Sequence, residues 1–387
     1  MPSGTWRPTC VDHLGISVAG TGPATHAVPV KAFASAAGTP LIAHDTLIER
    51  IRTDFGVRLD SIAQVFGGQD SDAAMLHAVT IDGAPLAVKV SRSLRVGGLL
   101  ASALLSANVS SGIPAPLPAR SGKPYSVVAG RRLSLTPWIV GRGAYEAGMS
   151  AHQWRTFGAL LSRVHAAQIP DVLADELPSE DYRTPAAAAA RVALDERIRE
   201  ESTNRGIATQ DDSQRAALIC DWLTARSSLV WIFEHIDDLG DELRAASAPI
   251  VLCHGDAHIG NALLDDKDDI WLLDWDEVLR APRERDLMFV IEGVLSDAPV
   301  TAEQQSWFFD GYGHANIDPV LLAYYRCSWA MQDVADFAAR VFDLDDNAPE
   351  SNQALRFFRS VVSPAGIVGL AVESLQQIGR VPPLGPT

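Results

Sequence analysis

Three polar residues in one stretch of the chain have the types and spacing that group transfer requires. Asp256 stands in His254-Gly255-Asp256, Asn261 follows five residues later, and Asp274 opens Asp274-Trp275-Asp276. The apolar run Ile250-Val251-Leu252-Cys253 ahead of them is short enough for a buried strand. A second apolar run, residues 270–273, leads into Asp274. Asp265-Asp266-Lys267-Asp268-Asp269 lies between short apolar runs and reads as a hairpin turn. The three polar groups are therefore expected at one end of a small sheet. Phosphoryl transfer needs such a set: one carboxylate accepts the proton of the attacking hydroxyl, while an amide oxygen and a second carboxylate hold the metal that neutralises a triphosphate.

The elements that must position them divide the chain in two. A length of 387 residues allows two lobes with separate cores. Net charge is −16, the wrong sign for a nucleic-acid binder, so no nucleic-acid partner is expected. An acidic surface suits a cationic small substrate and equally serves solubility. The four cysteines, Cys10, Cys220, Cys253 and Cys327, form no CxxC pair, which leaves a zinc or redox site without support and suits a reducing cytoplasm. No apolar run approaches the ~18 residues of a membrane helix, so no membrane partner is expected.

Residues 1–43 are poor in charge and rich in Ala, Gly, Pro, Ser and Thr, and read as a disordered extension. A signal peptide fits less well, because no basic segment precedes a clean apolar core. A helical pattern begins near Leu47. Residues 61–66, 74–80 and 85–90 then read as strands of a two-hairpin meander. The first turn, Gly67-Gly68-Gln69-Asp70-Ser71-Asp72, could lay backbone N–H groups over phosphates, and is equally read as a plain turn. The third strand carries Lys89 between valines, a costly place for a lysine without an anionic partner. A helix over residues 94–109 and further strands to residue 140 follow, and Leu135-Thr136-Pro137-Trp138-Ile139 reads as the link between lobes. From Ser150 onward the patterns are helical apart from the island that carries Asp256. The fold class expected is α+β, with a small β-rich N-terminal lobe and a larger, mostly helical C-terminal lobe.

The spacing H-G-D-x-x-x-x-N followed by D-W-D resembles the aminoglycoside phosphotransferase family, which has a protein-kinase-like two-lobed fold. Downstream, Ala281-Pro282-Arg283-Glu284-Arg285-Asp286, Gly311-Tyr312-Gly313 and Tyr324-Tyr325-Arg326 are similar to its spectinomycin-phosphorylating branch. The resemblance covers residues 41–373. It implies residues 44–138 as a nucleotide-binding lobe with hinge, and residues 139–387 as a catalytic and acceptor-binding lobe. It implies Asp256 as catalytic base, Asn261 and Asp274 as magnesium ligands, and Lys89 as the contact to the ATP phosphates. Gly67, Gly68, Ser71 and Asp72 would form the phosphate loop, and Leu135, Thr136, Trp138 and Ile139 the adenine-binding link. His254 and Asp286 would brace the catalytic loop.

One departure stands out. Such enzymes pair the lysine with a glutamate on the next helix, yet residues 92–119 contain no Asp or Glu, and Gly97-Gly98 lies about where the glutamate belongs.

For the acceptor, Tyr325, Trp329 and Asp333 recur every four residues and share one helix face, with Asp336 beside it and Glu277 close to the metal aspartate. Acidic and aromatic groups together suit a protonated amine, although such a stripe also fits an ordinary half-buried helix. The expected activity is ATP- and Mg2+-dependent phosphorylation of a hydroxyl on a small, cationic antibiotic, spectinomycin or a related aminocyclitol, conferring resistance. The alternatives are a kinase for another natural product or metabolite (a nucleoside antibiotic, choline, a glycated amine) and a nucleotide-binding module that has lost transfer.

Overall fold

The computed structural model describes residues 32–34, 40–65, 72–108, 111–205, 213–345 and 348–381. The smaller lobe is built on a five-stranded antiparallel sheet. Its strands are β3 (Leu59–Val65), β4 (Ala73–Thr80), β5 (Pro85–Ser91), β6 (Ser126–Val128) and β7 (Arg131–Pro137), in the order β3-β4-β5-β7-β6. Period-two alternation sends Leu76, Ala78, Val88, Val90, Leu133 and Leu135 to one face, where they form a core. Lys89, between two buried valines, is turned to the other face. Two short strands, β1 (Ala32–Ala34) and β2 (Pro40–Ala43), pair ahead of helix α1 (His44–Arg50), whose last turn widens into a π-helical turn over Ile51–Phe55. Leu41 and Ile42 join the sheet's core, so the segment read as an extension is structured at its end. Residues 1–31 and the turn residues Gly67, Gly68 and Ser71 lie outside the described residues.

Helix α2 (Gly97–Asn108) connects β5 to the rest of the molecule. Its opening residues have no room for side chains. A Cβ on Gly98 would come within 2.1 Å of the Trp275 carbonyl oxygen. Gly98 lets the helix backbone lie directly on the turn that follows Asp274, and Gly97 sits against the backbone of Glu176.

The larger lobe starts with β8 (Gly141–Gly143) and the one-turn helix α3 (Ala144–Ala147). Helix α4 (Ala151–His165) is started by a capping box between Ser150 and Gln153. The short α5 (Asp171–Ala174), α6 (Pro185–Arg205) and α7 (Gln214–Ala245) follow. Four short strands then form two sheets, not the single one expected. Strand β9 (Val251–Cys253) pairs with β12 (Leu279–Ala281), whereas β10 (Ala262–Asp265) pairs with β11 (Ile270–Leu272) on one side and with β8 on the other. The turn between β10 and β11 is the expected Asp-rich one: Asp265 Oδ1 accepts from the amides of Lys267 and Asp269, and Asp268 takes φ 64°.

Helices α8 (Glu284–Leu287), α9 (Ala302–Tyr312), α10 (Pro319–Asp343), α11 (Pro349–Val362) and α12 (Ile367–Gln377) complete the lobe. Helix α10 is its axis, with α6, α7, α11 and α12 packed around it. Its start is set by Asp318, which accepts from the Val320 amide, and by Pro319 at the first helical position. Two stretches, Gln214–Ala245 and Pro349–Gln377, are long and apolar enough by length and composition to cross a membrane. Both pack on α10, and the second is two helices broken at residues 363–366.

Candidate active site

The loop after β9 is held by one buried carboxylate. Asp286, at the start of the lobe's second half, accepts from the backbone amides of His254 and Gly255, both at 2.7 Å. His165 Nε2 lies 3.0 Å from the same carboxylate, and its Nδ1 lies 2.6 Å from the Tyr312 hydroxyl. Burial works to raise the Asp286 carboxyl. The hydrogen bond and field of His165, the field of His254 and the Gly255 amide outweigh it and hold the group below the ordinary carboxylate range. Gly255 has φ +85°, and a Cβ there would meet the Glu277 carbonyl oxygen at 2.1 Å, so the loop can turn only with glycine at this point.

His254 ties this loop to the end of β11. Its Nε2 faces the Leu273 carbonyl oxygen at 2.9 Å, and its Nδ1 accepts from the Asp256 amide at 3.3 Å. These partners assign the neutral tautomer with the proton on Nε2. Burial lowers the imidazole's pKa, which favours the same neutral form. His254 and Asp286 thus both hydrogen-bond within the loop that carries Asp256.

Asp256 is 1% exposed. Its Oδ2 and its backbone carbonyl both accept from Asn261 Nδ2 at 2.8 Å. Among the described residues nothing donates a hydrogen bond to its Oδ1, and His258 Nε2 lies 3.3 Å from it. A buried carboxylate oxygen left without a donor is costly unless a ligand supplies one. The backbone carbonyl of Asn261 accepts from the Leu273 amide, which places the residue beside the chain segment entering Asp274. Its amide nitrogen is committed to Asp256, so the amide oxygen is the atom left to meet a cation. Asp274 takes the left-handed conformation, φ 56°, a strained choice for a non-glycine residue. An amide oxygen with a carboxylate is a hard-oxygen donor set and fits a magnesium-type cation.

Lys89 reaches across from the small lobe. Its Nζ lies 2.7 Å from Asp276 Oδ2 and 3.5 Å from Asp274 Oδ1. Arg132 of β7 donates to the other oxygen of Asp276 at 2.9 Å. Burial raises the Asp276 carboxyl, but the charges and hydrogen bonds of Lys89 and Arg132 prevail and keep it well below the ordinary range. The absence of an acid on α2 therefore does not leave Lys89 unpaired. In the interlobe link, Leu135 is buried in the small core and its carbonyl accepts from the Leu117 amide. Thr136, Trp138 and Ile139 are half-buried, with Trp138 edge-on to His77 at 4.7 Å. Asp72 accepts from the Arg92 amide at the mouth of the turn.

A cavity of about 270 Å3 opens beside the catalytic loop. Its walls combine His258, Trp329, Asp333, Phe337 and Phe357 with Asp297, Gln353, Arg356 and Ser360. Trp329 and Asp333 are thus brought together as expected. Tyr325 is not at this cavity; it is buried against Tyr324 in the field of Glu180. Asp336 is half-buried on α10 and is also absent from the cavity wall. Glu277 is buried with its carbonyl against Gly255 of the catalytic loop and does not line the cavity. Burial, opposed by Arg95 and reinforced by Asp256, pushes its carboxyl up to about 8. One face of Trp329 is already taken by the Arg285 guanidinium, 4.6 Å from the ring centre.

Sequence reasoning missed His258, Asp276 and Arg132, and the cavity residues Asp297, Gln353, Arg356 and Ser360. The first could have been found from its place two residues after Asp256. Asp276 stood in the D-W-D motif with no role given to it. The others come from helices and loops far apart in the chain and carry no local signal.

A two-lobed α+β fold with an HGD loop, an asparagine and a strained aspartate converging between the lobes defines a kinase-like phosphotransferase. The chain belongs to the phosphotransferase enzyme family (APH), whose model matches residues 79–326. A solved spectinomycin phosphotransferase, APH(9)-Ia, in complex with ADP and spectinomycin has a similar fold. The TM-score is 0.71 at 23% identity, covering 86% of this chain and 98% of that one. An amicoumacin kinase in complex with AMP-PNP and Ca2+ gives 0.56 at 16% identity, covering 84% and 94%. An aminoglycoside phosphotransferase from Alicyclobacillus acidocaldarius gives 0.54 at 15%, covering 89% and 98%. At these identities the likeness establishes the fold. No curated protein matches the sequence.

Proposed function

We propose that the protein transfers the γ-phosphoryl group of ATP to a hydroxyl of a small, amine-bearing antibiotic, spectinomycin or a related aminocyclitol, in the cytoplasm, and so confers resistance. One observation carries the reading. Asp256 turns Oδ2 to Asn261 and leaves Oδ1 beside His258, a wall residue of the cavity that also holds Trp329 and Asp333. A single carboxylate thus stands between the metal-type donors and a space for an acceptor.

In this reading residues 44–138 hold the nucleotide and residues 139–387 supply catalysis and the acceptor site. The link residues Leu135, Thr136, Trp138 and Ile139 receive the adenine, and Lys89 meets the α- and β-phosphates. Asn261 and Asp274 hold Mg2+, which when bound neutralises phosphate charge. Asp256 Oδ1 accepts the proton of the acceptor hydroxyl as that oxygen attacks phosphorus in line with the departing ADP oxygen. Asp286, His165 and His254 keep the loop in place while this happens. Asp297 and Asp333 meet the ammonium groups of the acceptor. The ADP and spectinomycin bound by the similar spectinomycin phosphotransferase support the choice of ligands.

A second reading rests on Arg356. A guanidinium in the cavity wall favours an acceptor that also carries a carbonyl or acidic group. That would make the protein a kinase for another natural product, as the similar amicoumacin kinase is by its name. Incubation with ATP and Mg2+ against a panel of aminocyclitols, aminoglycosides and nucleoside antibiotics decides between them. The expected result is a mass gain of one phosphoryl group on spectinomycin. Transfer only to compounds of other classes sinks the aminocyclitol assignment. Nucleotide binding without transfer to any compound sinks the enzyme reading.

A further inference from the structure

Lys89 has no acidic residue to meet on the helix that follows its strand. Residues 92–119 contain neither Asp nor Glu. The place is closed to any side chain, because the Gly98 backbone lies against the Trp275 carbonyl. That contact brings the 3-10 turn Trp275–Glu277 up beneath the small lobe's sheet. There Asp276 divides its two oxygens between two cations of the opposite lobe, Oδ2 to Lys89 at 2.7 Å and Oδ1 to Arg132 at 2.9 Å. Arg132 is itself buried, and its second nitrogen donates to the Arg95 carbonyl oxygen. The carboxylate is therefore oriented by Arg132, and the ammonium of Lys89 by the carboxylate.

We infer that Asp276 is the positioning residue for Lys89, taking the place of the missing helix glutamate from the opposite lobe. The inference rests on the proposed nucleotide site and deepens it. It has a geometric consequence. A helix glutamate orients its lysine within one lobe, whereas Lys89 and Asp276 stand on different lobes, 187 residues apart in the chain. The contact between Lys89 and Asp276 exists while β5 and β7 sit over the turn that follows Asp274. Nucleotide affinity is thereby tied to lobe closure, with Arg132 as the second grip.

The test uses the full-length protein with Asp276→Asn and Asp276→Ala, and Asp276→Glu as the conservative variant. Three quantities are read: AMP-PNP affinity by calorimetry, steady-state kinetics, and the labelling rate of Lys89 by an amine-reactive reagent, followed by peptide mass spectrometry. Both uncharged variants are expected to label faster at Lys89 and to bind nucleotide more weakly. Their kcat is expected to fall on the order of 10–100-fold, the size that a misplaced group brings, with the acceptor KM within about twofold. Asp276→Glu should recover part of the loss. In the Lys89→Ala background, removing Asp276 should add nothing further.

Unchanged Lys89 labelling, or effects that add in the double variant, overturns the inference. If the wild-type protein transfers to no acceptor, the functional reading falls, and the labelling and calorimetry still decide the role of Asp276. Asp276→Asn keeps the side chain's volume, so it serves where the alanine variant does not fold.

Discussion

His258 Nε2 lies 3.3 Å from Asp256 Oδ1, and the same imidazole forms part of the wall of the cavity that holds Trp329 and Asp333. His258 Nδ1 accepts from the Gly260 amide at 2.9 Å, which fixes the ring with Nε2 near both Asp256 Oδ1 and, at 3.2 Å, Asn261 Nδ2. One side chain thus joins the candidate base to the candidate acceptor site. Asp256→Asn should lower turnover by roughly 10²–10⁴-fold, the usual contribution of a general base, with nucleotide affinity within about twofold. His258→Ala should lower kcat less and raise the acceptor KM. Unchanged turnover in Asp256→Asn refutes its role as base.

Asp333 and Trp329 define the cavity's acidic and aromatic sides. Asp333→Asn should raise the KM for an aminocyclitol by roughly tenfold, as loss of one charge-assisted contact would, and leave the KM for ATP alone. Tyr325→Phe serves as the control, because Tyr325 is buried away from the cavity. A larger effect from Tyr325→Phe than from Asp333→Asn contradicts the assignment of the cavity.

Asp286 holds two backbone amides and His165 with a fully buried carboxylate. Asp286→Ala strands those donors, and should destabilise the fold by about 3–5 kcal/mol, the range for breaking a buried charged network. The sign of its pH dependence follows from its depressed pKa. The stabilisation is present above the ordinary carboxylate pKa of about 4 and is lost as pH falls through the lower folded value. Thermal melts between pH 3 and pH 7 should show a steeper acid loss in the wild type than in Asp286→Asn. Parallel curves would show that the carboxylate carries no such linkage.

Glu277 works in the opposite sense. Its folded pKa of about 8 exceeds the unfolded value, so its contribution is fully present below the unfolded pKa and is lost as pH rises towards 8. Glu277→Gln, which cannot ionise, should gain in Tm relative to wild type as pH rises from 5 to 9. A gap that stays constant or closes over that range shows that the carboxyl ionises freely in the fold.

Much of the machinery was readable along the chain because it is local. The spacing of Asp256, Asn261 and Asp274 survives in the structure, with the Asp265 turn between them closing as its composition requires. Alternation in residues 73–91 places Lys89 on the face away from the small core. The helical pattern read from Ser150 onward begins where Ser150 caps α4. These features need only neighbours in sequence, and backbone geometry sets their outcome.

Tertiary packing decided the rest. Nothing near Lys89 in sequence announces Asp276, because their meeting depends on a glycine helix face seated on a distant turn. The helical stripe of α10 could not by itself say which residues face a cavity. Trp329 and Asp333 do, while Tyr325 and Asp336 do not, because α6, α7, α11 and α12 surround the same helix. Residue types and short spacings determined the chemistry this chain can perform. Which charges meet across the two lobes, and which side chains bound the acceptor space, follows from contacts between segments far apart in the chain, where no periodicity reaches.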